Sequence, residues 1–309
     1  MKWVKRLVAV VACFVVLLAV GAGVAWYLLR GRPAWYDGVR ADPAALQAAA
    51  VRAENELKRT IDWASSQQAE ERAALHASRG AAPAVSTTRP ASGPATRRSL
   101  VVTFTEQELN AAFEKWGKVY GWESTYAQYV TDPRIVLYDG KIIVAGDVKD
   151  FGTMVSLHFQ PAVDEQGGLR FELVQVLGGR LPLPESAFDR YRHRLEEKVK
   201  AALPAIQRGA QIKPDGSANE KAVVAVFSKL LLCVLDRRPG EAVLFLPANQ
   251  GTQVPVKLAD VKIDGKSIAL TVQLMTPQER AALLERIREP YRGPIDSAAT
   301  AAAPGRTGS

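Results

Sequence analysis

The sequence predicts an α+β domain behind a membrane anchor, and three observations predict it. Apolar residues alternate with polar ones through residues 134–177 and again through 242–275. Asp139-Gly140 and Asp264-Gly265 each separate two such runs, the strongest short-range signal for a hairpin. Before, between and after these runs the apolar period lengthens to that of a helix. Strands joined by tight turns form an antiparallel sheet, and helices gathered outside it pack on its face.

The 309 residues suffice for one or two domains, and 48% hydrophobic with 23% charged residues is a globular composition. The net charge of +8 is unevenly placed. Residues 1–99 carry 14 Lys and Arg against 7 Asp and Glu, residues 100–290 carry 24 against 24, and residues 291–309 carry 2 against 1. A nucleic-acid-binding domain concentrates cations on its folded surface. This one is neutral, so nucleic acid is not an expected partner. No phosphate loop, dinucleotide loop or metal-ligand spacing occurs, and no cofactor or metal is expected. Cys13 lies in an apolar run, which leaves Cys233 as a lone thiol that reads as a small buried side chain.

In chain order, residues 1–30 come first. Lys2, Lys5 and Arg6 precede Leu7–Leu29, 23 residues without a charge. About 20 such residues cross the hydrocarbon core of a bilayer, whereas a cleavable signal has an apolar core of roughly 7–15. The length and the Trp26-Tyr27 pair at interfacial depth favour a retained anchor; cleavage after Gly23-Val24-Ala25 is the alternative. Basic residues flank both ends, and the absence of a later apolar run of this length favours an N-in orientation with the main domain extracytoplasmic.

Residues 31–78 read as a helical stalk. Asp42-Pro43 starts a helix with a capping carboxylate and a proline in its first turn. Its apolar stripe is thin (Leu46, Ala50, Ala53, Leu57, Ile61 and Ala64), and Thr60 and Gln67 interrupt a coiled-coil seam. An exposed or weakly self-associating helix is therefore expected. Residues 79–99 are a Pro/Ala/Ser/Thr tether, and the tail at 291–309 has the same character.

The domain is expected over 100–290. Leu100–Phe104 is a short strand, and Thr105 with Glu108 forms a capping box for a helix bearing Leu109, Phe113 and Trp116. Arg134–Tyr138, Lys141–Val148, Thr153–Val163 and Leu169–Leu177 make a meander. Its buried face is expected to be Val155, Leu157, Phe159, Phe171 and Leu173, with Ser156, His158 and Gln160 facing solvent. Glu185–Arg208 is an amphipathic helix with a basic outer face. Asn219–Asp236, apolar nearly all round, is a buried helix carrying Phe227 and Leu231. Ala242–Leu246, Val254–Ile263 and Ser267–Met275 return to strand. In the middle one the apolar phase slips by one residue between Leu258 and Val261, as a bulge would cause. Pro277–Glu289 is the last helix.

The stretch Phe104–Pro184 resembles the YpmS-like family of membrane-anchored extracytoplasmic proteins. More distantly it is similar to LmeA-like members of the tubular lipid-binding (TULIP) superfamily. The matching features are Thr105-Glu-Gln-Glu-Leu-Asn110, Arg134-Ile-Val-Leu-Tyr-Asp-Gly-Lys-Ile-Ile-Val144, the strand Val155–Phe159 with Pro161, and Gly179-Arg-Leu-Pro-Leu-Pro184. The resemblance implies an anchored envelope domain whose sheet wraps a helix, around a lipid acyl chain, with no catalytic residue carried over.

Candidate chemistry is sparse. Ser156 and His158 share one face of a strand, but no orienting carboxylate is visible for a nucleophile–base pair. Asp147 and Asp150 read as turn formers. The basic face Arg190–Lys200 is a solvated helix face or a contact for an anionic headgroup or cell-wall polymer. Phe113, Trp116, Val155, Leu157, Phe159, Phe171, Leu173, Phe227 and Leu231 either fill a core or line a groove for a lipid chain, and composition does not separate the two. A non-enzymatic lipid-handling or lipid-sensing domain is the first reading. A module that docks other envelope proteins is the second, and a hydrolase ranks below both.

Overall fold

The structure, a computed structural model, describes residues 27–37, 42–80, 99–119, 123–124, 127–150, 152–184, 186–213, 216–247 and 253–291. A short helix α1 (Ala34–Asp37) and the long α2 (Pro43–Gly80) precede β1 (Ser99–Thr105) and α3 (Glu106–Val119). The meander follows as β2 (Val130–Tyr138), β3 (Lys141–Val148), β4 (Thr153–Val163), β5 (Gly168–Gly178) and the two-residue β6 (Leu181–Pro182). Next come α4 (Ser186–Arg208), α5 (Glu220–Leu235), β7 (Gly240–Glu241), β8 (Val243–Pro247), β9 (Gln253–Asp264), β10 (Ser267–Leu274) and α6 (Pro277–Arg288).

The fold is α+β, and every strand pair is antiparallel. The strands form two sheets rather than the single one expected. One has the order β1-β10-β9-β8, the other β2-β3-β4-β5-β6, and β7 pairs with the start of β5 at the join. The reason is connectivity. β1 crosses to pair with β10 instead of joining the meander that follows it, so the N- and C-terminal parts of the domain close one sheet together.

Local signals act as their chemistry requires. Asp139 and Gly140 both take positive φ, 51° and 69°, which makes the tight β2–β3 turn. Thr105 and Glu108 exchange side-chain-to-backbone hydrogen bonds of 3.3 and 2.8 Å, closing a capping box on α3. Thr276 and Glu279 do the same for α6, and the Asn219 side chain accepts from Ala222 N to cap α5. In the β9–β10 ladder Leu258 pairs with Val272 and Asp260 with Thr271, so Ala259 is the extra residue of a bulge. This explains the slip in apolar phase seen in the sequence.

The main core lies on one face of the first sheet, with Val102, Leu246, Val254, Val256, Leu258 and Val272 at its centre. Helix α2 covers it through Leu57, Ile61, Trp63 and Ala64. Farther up, Ala49 and Ala50 of α2 pack on Ala111 of α3, and Arg52 donates to Glu108 at 3.0 Å. The helix expected to stand as an exposed stalk is therefore part of the folded body. Its thin stripe suffices because alanine lets two backbones approach closely. Thr60, which would interrupt a coiled-coil seam, is 2% exposed and donates back to Glu56 O.

On the opposite face, α5 and α6 pack through Ala222, Ala225, Val226, Leu283 and Ile287 against Val243 of β8. Leu195 of α4 is exposed, and among the described side chains of that helix Leu203 and Gln207 are buried. Among the described residues no helix is long and apolar enough to cross a membrane. The run Leu7–Leu29 lies outside them except for its last three residues; of the tether expected at 79–99, residues 81–98 lie outside them, while Arg79 and Gly80 end α2 and Ser99 begins β1.

Candidate functional site

The unusual feature of the molecule is where residues 27–37 go. They continue directly from the apolar run and wrap round one end of the second sheet. Arg180 N donates to Leu28 O at 2.8 Å, and the Thr153 hydroxyl donates to Leu29 O. Gly179, at the tip of the β5–β6 turn, has φ +59°, and a Cβ there would run into the Leu28 and Leu29 carbonyls. On one face of the sheet a Cβ at Gly178 would meet the Leu29 and Leu183 side chains at 3.0 Å, so glycine makes room for both. The chain then turns past Gly31, packed on Arg180, to the other face. There Arg32 pairs with Asp147 at 2.7 Å, and Tyr36 donates to Asp132 O at 2.8 Å.

That second face holds Ser156, 0% exposed, and His158, 8% exposed. Both were expected to face solvent. The correction has a simple cause: Trp35 and Tyr36 roof this face. Trp35 meets the His158 ring edge-on at 5.8 Å, and Tyr36 packs on Ala145 and Met154. Ser156 Oγ lies 3.1 Å from His158 Nε2. Burial, with Lys141 nearby, holds the imidazole pKa below its ordinary value. Burial and the charges of Asp132 and Asp147 push the Tyr36 hydroxyl up to about 12. Ser156 and His158 thus bond to each other beneath Trp35, buried from the solvent access that a nucleophile needs.

The first face carries the expected apolar residues, and only some of them come together. Val155, Leu157 and Phe159 share a side of β4, and Leu173 pairs across from Phe159 on β5. The same side continues on β3 with Val144, which is 41% exposed. Val155 is buried, while Leu157, Phe159 and Leu173 are half-buried, so this face is less covered than expected. Phe171 lies at the far end of the strip and is taken up by the main core with Val163. Phe113 lines a separate cleft of about 360 Å³ beside Val130 and Arg134. The Trp116 side chain lies outside the described residues. Leu231 is half-buried on α5, and Phe227 is 51% exposed because that helix turns Ala222, Ala225 and Val226 inward instead.

A cleft of about 600 Å³ lies elsewhere, between β7, α5 and α6. Among its charged groups Arg286 forks onto Glu241 at 2.5 and 3.1 Å, and Lys229 donates to the Arg286 and Glu289 carbonyls at the end of α6. Burial pushes the Cys233 thiol pKa up at its wall, away from reactivity. Sequence reasoning missed the docking of residues 27–37 altogether. Its one available signal was the Trp35-Tyr36 pair, two large aromatics in a stretch otherwise composed like a linker. No family model, no curated protein and no solved structure matches the chain.

Proposed function

We propose that the chain is a single-span envelope protein whose α+β domain rests on the outer surface of the bilayer and holds a lipid acyl chain without chemistry of its own. One observation carries the reading: the apolar strip Phe159–Leu157–Val155 leads to Gly178 and there meets Leu29, the last residue of the apolar run. A strip of half-buried side chains that ends at the point where the chain leaves a membrane offers an acyl tail a continuous apolar path. The buried, inaccessible Ser156–His158 pair supports a non-enzymatic reading.

The test is photolabelling of the full chain, reconstituted in vesicles, with a phospholipid carrying a photoreactive acyl tail. Labelled peptides are expected from β4 and β5 around Leu157, Phe159 and Leu173, and Leu157→Arg is expected to suppress them. Labelling confined to the N-terminal run would sink the acyl-binding reading. A docking module for other envelope proteins is the second reading, favoured by Val224 and Phe227, exposed one turn apart on α5. It gains if β4 and β5 stay unlabelled.

A further inference from the structure

We propose that the cleft between the β3–β4 turn and residues 30–32 binds the phosphate of an anionic phospholipid headgroup. The inference rests on the anchored reading above and extends it from the acyl chain to the headgroup. The cleft measures about 390 Å³ and is lined by Arg30, Arg32, Lys149, Thr131, Thr153 and Asp147, among others. Three cations therefore face one carboxylate, and Arg32 already engages that carboxylate at 2.7 Å.

Position argues for the source of the anion. Arg30 directly follows Leu29, so in an anchored chain it stands at the level where hydrocarbon gives way to headgroups. The cleft is held at that level by the Arg180 N to Leu28 O bond and by Arg180 Nε donating to Arg32 O at 2.9 Å. A guanidinium presents a planar fork that fits two phosphate oxygens, and a lysine adds a compact charge beside it. Juxtamembrane cations gain most from anionic lipid when fixed within a few Å of the surface, and here the fold fixes them. The cleft therefore distinguishes phosphatidylglycerol-type lipids, with a net charge, from phosphatidylcholine, whose choline would meet Arg30 and Lys149.

The experiment uses the full chain in nanodiscs of mixed phosphatidylcholine and phosphatidylglycerol, with native mass spectrometry of the lipid that stays bound after the disc is stripped. One phosphatidylglycerol per chain is expected. The double variant Arg30→Gln, Lys149→Gln is expected to lower its retention about tenfold. The control Arg194→Gln, Lys198→Gln, on exposed positions of α4, is expected to retain it. Equal retention by the cleft variant and the wild type overturns the inference, and so does an equal loss in the α4 control. Inorganic phosphate bound by the detergent-solubilised chain, without lipid preference in the disc, would assign the cleft to free phosphate and also overturn it. Acyl labelling near Phe159 without headgroup selectivity would leave the proposed function standing and defeat only this step. A chain recovered outside the discs would defeat both.

Discussion

Gly179 carries two constraints at one position, a left-handed backbone and contact with the Leu28 and Leu29 carbonyls. An alanine there meets both penalties. Gly179→Ala is expected to lower stability by about 2 kcal/mol, read as a shift in the thermal midpoint of the detergent-solubilised chain. His158 makes a second residue-level prediction, and its sign follows from its lowered pKa. Above about pH 6.5 the ring is neutral folded and unfolded, so it adds no pH dependence. As pH falls below that value the unfolded chain takes up a proton that the buried site resists. Stability then declines until the folded ring is protonated as well. The paired variant Ser156→Ala, His158→Phe is expected to lose this acid-side slope while remaining folded at neutral pH, measured by urea midpoints across that range. A variant with the wild-type slope would place the titrating group elsewhere.

At the scale of elements, β2 is an edge strand whose free backbone groups are met by side chains of α3. Asn110 accepts from Ile135 N at 2.8 Å and donates to Ile135 O at 2.6 Å, while Glu106 accepts from Leu137 N at 2.9 Å. A helix thus supplies the ladder that a further strand would otherwise supply, which protects the edge from pairing with other chains. Asn110→Ala is expected to cost about 2–3 kcal/mol and to promote self-association, seen by denaturant unfolding and by light scattering. Element positions were legible beforehand. β3 and β4 fall at the predicted residues, because period-two alternation and Asp-Gly turns are local properties of the chain. The covered side of β4 was not legible. Alternation marks two faces, and the roof over Ser156 and His158 comes from Trp35 and Tyr36, more than a hundred residues away. Nor was the role of α2. Its contact with α3 is made by alanines, which carry little hydrophobic signal yet pack closely. The apolar strip was readable as Val155, Leu157 and Phe159; its meeting with Leu29 depends on Gly178, which reads in sequence only as a strand end.

For the whole molecule, the proposed anchoring implies an orientation through the docked N-terminal segment. The β3–β4 turn lies beside Arg30, and the β2–β3 turn lies at the other end of β3, eight residues away. At ~3.3 Å per residue the two ends are about 25 Å apart. Spin labels placed at Asp150 and at Asp139, in a chain lacking its two native cysteines, are expected to differ accordingly. The first is expected to broaden with headgroup-bound relaxation agents and the second with aqueous ones; equal behaviour would refute the orientation. The pairing of β1 with β10 has a consequence in time. Thr105 finds its partner in Ser267, so roughly 170 residues must be made after β1 before its sheet can close. At 5–20 residues per second that delay is on the order of 10 s or longer. Helix α2 waits as well, since the core it covers is built largely from β8, β9 and β10. Until then β1 lacks its partner and α2 lacks the core it covers, and the last strand to emerge latches the first.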